Sequence, residues 1–183
     1  MSDVRLIRDN GEEVGVQDSI KLFLTNGTDQ IVADNYVLTT INTFSYDVGE
    51  IAGTGDFESI KFNIGLDETT QQVDADTMAT THPLSNENGM YVDATSDYLF
   101  QETELTIVPD SLTTSYGVMG TNNLQTISLD FDSTIVVTKG FDIEIQLDVD
   151  YPGFFETIDF LNDDDNIIQQ KIVNNTSNIF SIR

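Results

Sequence analysis

From Phe141 to Asp150 the chain alternates without a fault, with Phe141, Ile143, Ile145, Leu147 and Val149 on one side and Asp142, Glu144, Gln146, Asp148 and Asp150 on the other. Successive side chains of a strand point to opposite faces of its sheet, so this rhythm predicts a strand with one face in a core and one in water. The same pattern recurs where Ile60, Phe62 and Ile64 alternate with Ser59, Lys61 and Asn63, and Gly65 ends it. Only one stretch has helical spacing. Asp163-Asp164-Asp165 precede Ile167, Ile168, Ile172 and Val173, placing acids at the positive end of a helix that packs one face over an end of the fold. Residues 174–182 return to extended form through Ile179, Phe180 and Ile182.

Strand signals recur at the spacing of an all-β sandwich or barrel. Val4 to Ile7 and Glu13 to Val16 flank Asn10-Gly11, which predicts a two-residue hairpin. Ile20, Leu22 and Leu24 alternate with Lys21 and Phe23, and Asn26-Gly27 turns the chain toward Ile31-Val32. Phe44, Tyr46 and Val48 predict another strand, followed by Leu105 to Val108, Thr126 to Phe131 and Ser133 to Thr138. Lys139-Gly140 is the expected turn of a hairpin pairing 133–138 with 141–149. The expectation is one domain over residues 1–183, an antiparallel β-sandwich of Ig-like or jelly-roll-like kind, with one long loop and a short C-terminal helix.

The 32 acidic residues outnumber 7 basic ones, for a formal net charge of -25, and the basic residues are scattered. Nucleic acid and anionic membrane surfaces need a positive patch to displace counterions, so both are excluded as partners. No run of ~18 apolar residues offers a membrane-inserting helix. Self-repulsion of this size fits a saline, extracytoplasmic setting, or divalent cations among the carboxylates. No cysteine is present, which removes disulfides and thiolate metal sites. The N-terminus lacks the basic-then-apolar layout of a signal peptide.

Between Leu66 and Asn88 lies a long polar loop holding the only histidine, His82, in His82-Pro83-Leu84, followed by Gly89-Met90-Tyr91 and Tyr98-Leu99-Phe100. That pattern reads as too irregular for a sheet, and ordered loops of such length usually serve function. His82 is a candidate copper ligand with Met90 as soft thioether partner, and Met78 and Met119 as others. The competing reading makes His82 a loop-ordering group bonded to backbone. Asp148 and Asp150 lie two apart on one strand face and are candidate calcium ligands, like Asp74/Asp76 and Asp130/Asp132, against the plainer reading of a solvated face. Tyr91, Tyr98 and Tyr116 are candidates for a binding surface, or for core under the loop. Enzyme chemistry is not expected, because no nucleophile, base and orienter come together in the sequence and no Gly-x-Ser-x-Gly elbow occurs.

The string SIKFNIGLD…HPL…NGMYVDATSDYLF resembles the MbnP-like domain family. Ser2-Asp3-Val4-Arg5-Leu6 resembles its early strand, and Asn174-Asn175 through Ile179-Phe180 its helix-to-strand ending. The resemblance implies a periplasmic or secreted β-sandwich, proposed copper binding, and a partner related to di-haem cytochrome peroxidases. Two family features are missing. Val92 stands where a tryptophan is usual, with no tryptophan in the chain, and Ser115-Tyr116-Gly117-Val118-Met119-Gly120 offers no histidine where a Tyr/Phe-x-His-x-Gly-like element is expected. The copper site therefore reads as stripped, and the family's first hairpin reads as missing.

Two functions follow. The first is a non-enzymatic extracytoplasmic MbnP-like module with a vestigial or altered copper site, expected to bind copper through His82 if the site survives. The second is a structural subunit of an extracellular or virion assembly, a filament, fibre or decoration protein that self-assembles through an open N-terminal sheet edge.

Overall fold

The computed structural model describes residues 1–92, 97–107 and 112–183. It is an all-β antiparallel sandwich with one short α-helix. The main sheet runs β2 (Glu13–Gly15), β1 (Ser2–Ile7), β5 (Gly55–Ile64) and β9 (Gln125–Val137), each antiparallel to its neighbour. Smaller sheets pair β3 (Ser19–Phe23) with β4 (Asp29–Ala33), and β6 (Tyr91–Val92) with β7 (Asp97–Ile107) and β8 (Leu112–Met119). The last pairs β10 (Leu147–Val149) with β11 (Phe180–Ile182).

Alternation fixes the inner face of the main sheet. Leu6, Phe57 and Phe62 are almost wholly buried together with Val4, Ile60 and Ile127, and each such large side chain contributes about 1.5–3 kcal/mol by leaving water. Ile143, Ile145, Leu147, Phe180 and Ile182 cover this face as the opposing layer, with the Phe180 ring edge-on to Phe62 at 5.4 Å. A second cluster joins Leu22 of β3 to Val73, Ala75, Met78 and Leu84 of the long loop and to Tyr98. The third holds Tyr116 and Val118 of β8 against Ile168, Ile172 and Val173 of α1 (Asp165–Thr176). Asp164 caps α1 by accepting from the Ile167 N–H at 2.9 Å, so the acid run starts the helix as its sequence requires.

Several expectations are corrected. The Asn10-Gly11 hairpin has a three-residue loop in place of the expected two, and Asn26-Gly27 turns the chain as expected through a loop of the same kind: the Gly11 N–H bonds to the Arg8 carbonyl and Gly27 to Leu24, with φ of 82° and 83° at the glycines. Here Asn10 and Asn26 accept from the N–H two residues on and glycine takes the left-handed position. Phe44, Tyr46 and Val48 form no strand: the edge of β2 is taken by residues 50–52, and Phe44 is 93% exposed. Residues 126–131 and 133–138 are one strand, β9, rather than two. Between Phe57↔Ile135 and Ser59↔Asp130 it advances five residues while β5 advances two, a bulge that leaves Phe131–Thr134 without register partners.

The 133–138/141–149 hairpin does not form. Gly140 turns the chain with φ of 81°, but 147–149 pairs with β11, because Ile143, Ile145 and Leu147 face the core beside Phe180 and Ile182. Phe141 at the turn stays exposed. Residues 91–92 and 97–100, read from the sequence as irregular, are strand. The expected strand Leu105 to Val108 is the end of β7, and Val108 lies outside the described residues. Nor is the N-terminal edge open. The Gln17 N–H bonds to the Glu50 carbonyl and the Ala52 N–H to the Gly15 carbonyl, which covers β2 from within the chain.

Candidate functional site

Residues 66–90 are held by short turns rather than by a ladder. Thr70–Gln72, Ala75–Thr77 and Asn86–Asn88 are single 3₁₀ turns, the last two capped by the Asp74 and Ser85 side chains. Backbone bonds from Thr25 to Gln72 and from Asp74 to Phe23 tie the loop to the end of β3. His82 sits in this frame with its side chain 11% exposed. Its Nδ1 accepts the Leu84 N–H at 3.1 Å, so the ring proton is on Nε2, which donates to Asp34 Oδ1 at 3.0 Å. The Tyr36 ring lies edge-on to the imidazole at 5.9 Å, and burial pushes the Tyr36 hydroxyl above its ordinary value. The His82 carbonyl accepts from the Ser85 N–H and the Asn88 side-chain amide.

An imidazole ligates a metal through a free nitrogen lone pair, and here one nitrogen carries the proton while the other is engaged by backbone. Met90 lines a small pocket of about 50 Å³ with Tyr36, Pro83, Leu84 and Phe100, and Met78 is buried in the second core. The residues present thus do not fit a copper ion, and among the described residues no three His, Asp or Glu groups gather to hold a metal.

Asp148 and Asp150 are separated in role. Asp148 is exposed on β10 opposite Ser181, whereas Asp150 accepts the Gly153 N–H at 3.3 Å and caps the turn Tyr151–Phe155. Of the two readings of the tyrosines, Tyr98 and Tyr116 take places in the core, and Tyr91 stays partly exposed. Tyr98 is 1% exposed, donates its hydroxyl to the Leu84 carbonyl at 2.7 Å and meets the Tyr91 ring edge-on at 5.0 Å. Burial raises its hydroxyl pKa far above the ordinary tyrosine range. Tyr116 is buried beneath α1 and its hydroxyl is likewise raised by burial. What sequence reasoning missed is Asp34, which lies 48 residues from His82 and carries no local signal.

The part of the family resemblance at Asp93–Ser96 lies outside the described residues. No curated protein and no solved structure matches the chain. The family model for MbnP matches residues 1–174, nearly the whole length, so the chain belongs to the MbnP family.

Proposed function

We propose that the protein is a non-enzymatic extracytoplasmic binding module of the MbnP family, working by contact with a protein partner and carrying only the vestige of a copper site. The observation behind this reading is the double engagement of the only histidine, Nδ1 by the Leu84 N–H and Nε2 by Asp34. The missing tryptophan and second histidine support it, and the acid excess supports an extracytoplasmic setting. Among the described residues, none of the helices is long and apolar enough to cross a membrane.

Copper titration of the purified chain with Cu(I) and Cu(II), beside His82→Ala, tests the reading. The expected result is no stoichiometric uptake and no difference between the two proteins. One tightly held equivalent of copper that disappears in His82→Ala would overturn it.

A second reading, an assembly subunit of an extracellular structure or virion, is favoured by the outer edge of β9, which pairs with no strand among the described residues. Ordered polymers in size measurement would select it, and a monodisperse monomer would remove it.

A further inference from the structure

Two segments that the sequence would zip together stand apart. Between the end of β9 and residues 144–146 lies an open slot of about 290 Å³. Its apolar lining comes from Phe131, Ile135, Ile145 and Ile182, and its polar lining includes Asp132, Glu144 and Arg183. One bank is the unpaired outer edge of β9, displaced by the bulge at Phe131–Thr134. On the other bank, residues 142–145 belong to no helix, turn or strand, Ile143 and Ile145 pack on the main core, and none of the backbone groups of 142–145 makes a hydrogen bond among the described residues. The Gly140 turn joins the banks. An unpaired strand edge beside a half-apolar slot is a template for strand addition.

We propose that this slot captures an extended segment of a partner protein in which apolar residues alternate with lysine or arginine. The alternate apolar side chains enter among Phe131, Ile135, Ile145 and Ile182. In the lining Asp132 and Glu144 outnumber Arg183, Asp130, Asp142 and Lys139 lie on the same two segments, and the whole chain is at -25. That charge selects a cationic segment and opposes a second copy of this chain. The inference rests on the binding-module reading for the existence of a protein partner. Its test is separable, because peptide capture reports on residues 131–146 and copper uptake on His82.

The probe is the acetylated peptide amide Lys-Val-Lys-Ile-Lys-Val-Lys, compared with its counterpart having glutamate for lysine, titrated calorimetrically against the full chain. The lysine peptide is expected to bind at least tenfold more tightly. Amide exchange at 142–145 is expected to be fast in the free protein and slowed by the peptide. Asp132→Lys with Glu144→Lys should lose at least tenfold in affinity, whereas Asp9→Lys with Glu68→Lys, the same charge change elsewhere, should not. Glu144→Pro removes an N–H that has no partner among the described residues, so it should fold and yet bind poorly. Equal binding of both peptides, equal loss in the two double variants, full binding by Glu144→Pro, or amides already protected at 142–145 would overturn the proposal. A dimer of this chain that protects the same amides would overturn it too.

Discussion

The Tyr98 hydroxyl donates to the Leu84 carbonyl at 2.7 Å, which binds β7 to the turn that carries His82. Both partners are buried, so Tyr98→Phe leaves a carbonyl with neither water nor donor. An expected loss of about 1–3 kcal/mol follows, read as a lower urea midpoint. An unchanged midpoint would show that water reaches Leu84.

His82 is expected to be the Nε2–H tautomer, because Nδ1 receives the Leu84 N–H. Long-range ¹⁵N NMR of the imidazole separates the two tautomers directly. Asp34→Asn keeps an acceptor at the same place and should preserve the tautomer, while His82→Ala orphans the Leu84 N–H and should cost roughly 1–3 kcal/mol.

A Cβ at Gly65 would lie 2.5 Å from the Phe100 ring, at a φ of +115° that side chains rarely adopt. Gly65→Ala is therefore expected to cost about 2–4 kcal/mol by overpacking and backbone strain together. In the double variant Gly65→Ala with Phe100→Leu the clash is relieved but the strain stays. Guanidinium unfolding of the four-protein cycle should show a favourable coupling.

Acid should unfold the protein through a few carboxylates. Glu13 is held below the ordinary range by Lys61 and then Arg5, and Asp163 by Lys171 and then the Asp159 N–H. Asp159 is lowered chiefly by the Asn162 side chain. Such groups bind protons less readily folded than unfolded, so their stabilisation is complete above the usual carboxylate pKa of ~4 and lost as pH falls through the lowered values. Lys171→Met should lower the urea midpoint at neutral pH, and its deficit should shrink as pH falls through the lowered Asp163 value. Repulsion works the other way at neutral pH, where the net charge is -25. Raising NaCl from about 0.01 M to about 0.5 M should increase Tm by roughly 5 °C.

The sequence made β5, the β1–β2 and β3–β4 hairpins and α1 legible, because each is signalled by its own period, turn or cap. Residues 141–146 show the limit. Alternation told which side of Ile143 and Ile145 faces hydrocarbon, yet a period of two carries no information about which strand lies alongside, and β11 took the place expected for β9. The loop before Tyr91 failed differently. Val73, Ala75, Met78 and Leu84 enter one core through 3₁₀ turns whose spacing matches neither a strand nor a helix. The candidate metal residues were visible by type, but their employment was not. Asp150 became a cap and His82 a brace because of partners that only the folded chain brings near.

The interior is divided into three clusters, and β7 is the strand that visits two of them, through Tyr98 in the second and Phe100 with Leu105 in the third. A protein partitioned in this way opens in parts, each patch of hydrocarbon defending its own neighbourhood. α1 over Tyr116 and the four-stranded sheet draw on different clusters, so amide exchange is expected to be faster in α1 than in the sheet. β7 is the seam through which opening of one small cluster is expected to reach the other.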